Sequence, residues 1–139
     1  MEKKKIIGYT TGVFDMFHIG HLNILKQAKE RCDYLIVGVS TDENVMNYKG
    51  KKPVIPFEDR KKIVEAIKYV DEVVPQTNMD KFAAWEKLHF DVLFHGDDWK
   101  NSQMYNDVIE KLKTVNVEVV FLKHTDGIST TILREKINK

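Results

Sequence analysis

A single cysteine, Cys32, leaves the chain no internal disulfide, so its stability must come from a packed core. Long apolar runs are missing as well. Behind the charged start Met1-Glu2-Lys3-Lys4-Lys5, Gly8 and Thr10 interrupt the only stretch that resembles a leader, and nothing is long enough to span a bilayer. These absences predict a cytoplasmic protein with no membrane partner. Charge of one sign is also lacking: 22 Lys and Arg stand against 21 Asp and Glu, a formal net charge of +1. That removes the global field a nucleic-acid binder would use and leaves any basic site local. No repeat, linker or low-complexity stretch divides the 139 residues. With 42% hydrophobic content they suffice for one core, and one domain over residues 1–139 is expected.

What is present is a regular alternation. Apolar residues 5–9 read as a first strand, and Leu22, Leu25 and Ala28 recur at helical spacing behind it. The run from Tyr34 to Val39 is continuous, as in a strand buried on both faces. Residues 48–56 carry Lys49, Gly50, Lys51, Lys52, Pro53 and Pro56, which predicts a basic, mobile loop. Further on, the pattern predicts a helix over 58–70, a strand over 72–74, a helix capped by Asn78 and ending at 88, a strand over 91–94, a helix over 102–114, a strand over 117–121 and a helix over 129–139. A βα unit repeated five times implies an α/β fold: a single Rossmann-like, doubly wound domain with a five-stranded parallel sheet. Ligands of such sheets bind beyond the carboxyl ends of the strands at the switch point. That gathers the segments 12–21, 95–99 and 124–131 at one edge.

The first of these segments, Gly12-Val13-Phe14-Asp15-Met16-Phe17-His18-Ile19-Gly20-His21, stands where a strand hands over to a helix. A helix N-terminus presents unpaired N–H groups and positive potential, and Gly12 and Gly20 leave room for a phosphate. Histidines three apart on a helix share a face, so His18 and His21 can touch one ligand. A metal site would need more ligands than this pair and the distant Cys32 provide. The segment resembles the His-x-Gly-His motif of the cytidylyltransferase branch of the nucleotidyltransferases. A second stretch, Thr125-Asp126-Gly127-Ile128-Ser129-Thr130-Thr131, is similar to that family's C-terminal motif.

The resemblance spans nearly the whole chain and implies transfer of CMP from CTP to a small phosphorylated polyol, glycerol-3-phosphate first, with release of pyrophosphate. Mg²⁺ is implied as an ion carried by the CTP phosphates, with no metal ligands of the protein's own, and a homodimer is the expected assembly. By the same resemblance His18, His21, Lys49, Arg60 and Thr130 are expected at the reacting phosphates. Gly12, Val13, Phe14, Asp15, Gly20, Asp97, His124, Thr125, Gly127, Ile128 and Ser129 are expected around the nucleotide, and Lys49, Lys51 and Lys81 toward the acceptor. Asp15 could orient a lysine or a Mg²⁺-bound water. Asp97 would sit beside the base with Asp98 and Trp99 following it.

Three positions depart from the family pattern: His124 and Lys68 replace arginines, and Asp126 replaces a glutamate. Imidazole is not equivalent to an always-charged guanidinium, so nucleotide affinity or acceptor choice can differ. Asp126 also suits related adenylyltransferases, which keeps ATP transfer to a sugar or polyol phosphate as an alternative. A non-catalytic nucleotide-binding domain is the alternative of another class.

Overall fold

The computed structural model describes residues 5–96, 103–125 and 130–137, with backbone only for residues 104, 130–132 and 134. Its elements are β1 (Ile7–Gly12), α1 (Ile19–Glu30), β2 (Tyr34–Ser40), α2 (Asp42–Lys49), α3 (Phe57–Glu65), β3 (Glu72–Gln76), α4 (Lys81–Leu88), β4 (Val92–Gly96), α5 (Gln103–Lys113), β5 (Glu118–Leu122) and α6 (Thr130–Ile137). The five strands form one parallel sheet in the order β3-β2-β1-β4-β5. The order reverses between β1 and β4, which makes the ends of those two strands the switch point.

Alternation along the strands builds a core on each face. Leu35, Val37 and Val39 of β2, with Val92 and Phe94 of β4, join Leu25 and Ala28 of α1 and Val64 of α3. Ile36 and Leu93, which point the other way, join Tyr9, Tyr105 and Leu112, with Phe82, Trp85 and Leu88 of α4 packed against them. Burial on both faces is what the unbroken apolar run in β2 encodes. The strand-start edge is tied by aspartates. Asp33 accepts the N–H of Ile6 at 2.8 Å, Asp71 that of Leu35 at 2.8 Å and Asp91 that of Ile7 at 2.9 Å. Burial tends to raise the Asp71 pKa, but the Lys29 ammonium and the Leu35 N–H outweigh it, and the carboxyl lies below its usual range.

Two expectations change. Residues 42–47, given no element from the sequence, and Tyr48 and Lys49 of the expected loop form α2: Thr41 Oγ1 accepts the Asn44 N–H at 3.1 Å, and Gly50 ends the helix at φ 75°. Three of the nine residues of the expected loop, Tyr48, Lys49 and Gly50, therefore belong to the helix or its cap. The helix expected over 58–70 stops at Glu65, because Ala66, Ile67 and Val70 continue in tighter turns to Ile63, Val64 and Ile67. Ile67 and Val70 still pack on the core. At α4 the cap is Asp80, which accepts the Ala83 N–H at 3.0 Å, while Asn78 accepts the Asp80 N–H one turn earlier.

Candidate active site

β1 ends in a segment that doubles back before α1, with Phe14 at φ 55° and Met16 at φ 49°. Two non-glycine residues in the left-handed region cost on the order of 1 kcal/mol or more each, a cost typical of positions held for function. Phe14 is buried in the core, and the turn brings His18 to the N-cap of α1.

The two histidines meet through a capping box made of imidazoles. His18 Nδ1 accepts the Gly20 N–H at 3.0 Å, and His21 Nδ1 accepts the His18 N–H at 3.2 Å. His18 is thus not on the helix surface, as its spacing suggests, but one step before it, and the N–H of Gly20, read as leaving room for a phosphate, is taken by the cap. The rings stack with centroids 3.9 Å apart at 22°. A nitrogen that accepts carries no hydrogen, so each neutral ring holds its proton on Nε2 and is a donor there. Burial, then the neighbouring His18 and, more weakly, Lys49 push the His21 pKa down to about 3 against an opposing pull from Asp15. Burial lowers that of His18 as well. Both rings are therefore neutral donors near pH 7.

His21 opens on a cavity of about 290 Å³ at the carboxyl ends of the strands. Its floor is Thr10 to Asp15, from the end of β1 and the turn after it, and His95 and Gly96 from β4, and its mouth carries the exposed Lys49, Lys51 and Lys52. A Cβ at Gly12 would stand 3.0 Å from the Phe14 ring, close enough that the ring would have to give by a few tenths of an ångström. Cations at the rim and neutral donors below suit an elongated polyanion.

Asp15 and Arg60 hold the residues that follow α2 across this cavity. Both Asp15 oxygens accept backbone N–H groups, of Val54 at 2.7 Å and Ile55 at 2.8 Å. Asp15 therefore positions the polypeptide chain, a role beside the lysine or metal-bound water expected of it. Arg60, expected at the reacting phosphates, is wholly buried. Its guanidinium donates to the carbonyls of Ile55 at 2.8 Å, Val13 at 2.8 Å and Ser40 at 2.7 Å, and to the Asp42 carboxylate at 2.6 Å. It shapes the cavity floor from behind.

Lys81 is also buried, its Nζ 2.9 Å from Thr11 Oγ1 and its pKa pushed down to about 8 by burial. It lines a neighbouring cavity of about 230 Å³ under α4, which shares Gln76 with the main cavity, and its Nζ reaches Thr11 in the main cavity's wall. Thr125, beyond β5, accepts from Asn23 Nδ2 of α1 at 2.8 Å, which draws the C-terminal motif's first residue beside the histidine helix. His124 next to it is exposed. Readings that fell on Asp97, Asp98, Trp99, Asp126, Gly127, Ile128 and Ser129 lie outside the described residues, as does the side chain of Thr130. Gln76 and Met79 also line the main cavity and were not foreseen; as single residues past a strand of moderate polarity they carried no pattern to find them.

This edge, with its capped histidine pair at a switch point, is that of a nucleotidyltransferase fold, and the chain belongs to the family described as Cytidylyltransferase-like, which it matches over residues 9–136. It is 42% identical to glycerol-3-phosphate cytidylyltransferase of Bacillus subtilis (strain 168), with 96% of this chain and 97% of that one aligned. The FAD synthase of Thermococcus sibiricus is 36% identical, with 98% and 95% aligned. A lipopolysaccharide core biosynthesis protein from Thermoplasma volcanium superimposes with a TM-score of 0.78 at 27% identity, over 88% of this chain and 100% of that one.

Proposed function

We propose that this chain is a cytidylyltransferase that moves CMP from CTP to a small phosphorylated alcohol, glycerol-3-phosphate first, giving CDP-glycerol and pyrophosphate. The observation that carries the reading is the imidazole capping box, which fixes two neutral N–H donors side by side, His21 among the residues that line a cavity with a lysine rim. The near full-length identity with a glycerol-3-phosphate cytidylyltransferase supports the choice of substrates.

An oxygen of the acceptor phosphate attacks the α phosphorus, the bond from that phosphorus to the bridging oxygen breaks, and the electron pair leaves with pyrophosphate. No proton has to move at the reacting centre. Rate enhancement then comes from placement and from donors that meet the charge as it shifts toward the leaving group. His18 and His21 offer Nε2–H groups that need no protonation to act, while Lys49 and Lys51 supply positive charge from the rim. Mg²⁺ neutralises phosphate charge when bound. The donors present fit an ion held by the nucleotide: Asp15, the one carboxylate among the described cavity residues, has both oxygens engaged, and no group of three or more His, Cys, Asp or Glu gathers among the described residues.

The form proposed is a cytoplasmic homodimer, which sedimentation can check; among the described residues no helix is long and apolar enough to cross a membrane. Pyrophosphate release should be measured with CTP and with ATP across glycerol-3-phosphate, other polyol phosphates and amino-alcohol phosphates. Turnover with CTP and a polyol phosphate is expected. Turnover with ATP alone would transfer the proposal to adenylyl chemistry, which the FAD synthase relative makes the second donor to try.

A further inference from the structure

Helix α1 carries the histidines at its first turn and, on the next two turns, a pair of amides that the chemistry above does not use. Asn23 Nδ2 donates to Thr125 Oγ1 at 2.8 Å, and Gln27 Nε2 donates to the Lys123 carbonyl at 3.0 Å and to the Asn23 carbonyl at 3.3 Å. These bonds join segments 102 and 96 residues apart in sequence. Gln27 grips backbone and would hold any residue at 123. Asn23 grips a side chain, and the direction of that bond matters. A hydroxyl has one hydrogen and two lone pairs. Because Asn23 fills a lone pair of Thr125, the Thr125 hydrogen is left to be donated elsewhere, and an anion is the partner that needs a donor.

We propose that Asn23 is a positioning residue for nucleotide binding: it turns the Thr125 hydroxyl so that its hydrogen faces a phosphate oxygen, and it locks the segment after β5 to the helix that bears His21. The inference rests on the transferase reading and adds to it a residue outside the two motifs. Neither Asn23 nor Gln27 is expected at the reacting atoms.

The polarity of the bond gives the test. Asn23→Leu removes the donor at similar size. Asn23→Asp keeps the shape but makes the partner an acceptor, which takes the Thr125 hydrogen for itself and sets a negative charge near the phosphates. With one neutral hydrogen bond at stake, Asn23→Leu should raise the CTP KM and the calorimetric Kd for CTP about two- to tenfold, with kcat changed less. Asn23→Asp should be worse than Asn23→Leu. In a Thr125→Val background, Asn23→Leu should add under about twofold, because the hydroxyl it orients is gone. Asn23→Gln, which keeps a donor, should recover part of the loss. A merely structural role would lower thermal stability in step with CTP affinity, with Asn23→Asp no worse than Asn23→Leu; that pattern, or a CTP Kd unchanged in both Asn23 variants, overturns the inference. Binding of CTP and ATP by the parent is measured first and without acceptor. A parent that binds nucleotide but transfers nothing refutes the transferase reading while leaving the Asn23 comparison readable, and a parent that binds neither refutes both.

Discussion

His21 should make the folded protein acid-sensitive well above the range in which carboxylates titrate. In the native state its Nδ1 is committed to the His18 N–H and its ring is largely buried, and the pKa lies at about 3; released by unfolding it returns to the ordinary 6.5. Above pH 6.5 neither state binds a proton and His21 contributes nothing to the pH dependence. Below it the unfolded chain takes up a proton that the folded chain refuses, so stability falls as pH falls, until the folded ring titrates near 3. At about 1.4 kcal/mol per unit, over the roughly 1.5 units between 6.5 and pH 5, the loss is on the order of 2 kcal/mol, reduced to about 1–2 by the ring's partial exposure. His21→Asn supplies the control, since its amide oxygen can still accept from His18 N–H but does not titrate. Urea unfolding at pH 7 and pH 5 should show the parent losing about 1–2 kcal/mol more than His21→Asn. His18 shifts in the same direction and is present in both proteins, so it largely cancels. Equal losses in the two proteins would refute a neutral, proton-refusing His21, and with it the assignment of its hydrogen to Nε2.

Removing either ring tests the donors directly: His18→Ala or His21→Ala should cut kcat at least about a hundredfold in a protein that still folds, read by pyrophosphate release. Arg60→Met should destabilise by about 3 kcal/mol or more in urea unfolding, because three carbonyls and Asp42 lose a buried donor, and the effect should precede any specific loss of nucleotide affinity. Lys49→Ala and Lys51→Ala should lower turnover more than CTP affinity, as expected of rim residues that act after encounter; unchanged turnover in both would return them to a solvated surface role.

The order of strands and helices was legible because it rests on periodicity, which survives in one dimension. Tyr34 to Val39 could only be buried on both faces, and Phe82, Trp85 and Leu88 could only be one side of a helix. α2 was hidden for a different reason. Its start and stop signals, Thr41 with Asp42 and Glu43, and Gly50, were readable, but between them only Asn44 and Val45 are buried, too few for an apolar stripe. The histidine pair could be found from spacing, whereas its tautomer depends on φ and ψ at residue 18. Asp15, Arg60 and Lys81 were expected to meet phosphates, a metal-bound water or the acceptor, and the structure gives them protein partners that the sequence did not suggest. A charged residue met in sequence suggests a charged ligand; folded, all three are buried and satisfied mainly by backbone groups and a hydroxyl. Burial of that kind follows from tertiary packing and leaves no local mark.

The aspartate anchors of the strand starts lie a strand's length from the cavity: six residues of β1, or about 20 Å at the rise of an extended chain, separate the Ile7 amide from the Gly12 floor. That edge is a natural handle. A protein coupled to a sensor surface or resin through residues introduced beside Asp33, Asp71 or Asp91 would present its lysine rim to solution, free for nucleotide to enter. Coupling through amines instead would spread attachment over the chain's 19 lysines, Lys49, Lys51 and Lys52 among them, and leave the population in mixed orientations, so the two chemistries should yield the same bound mass and different binding capacities.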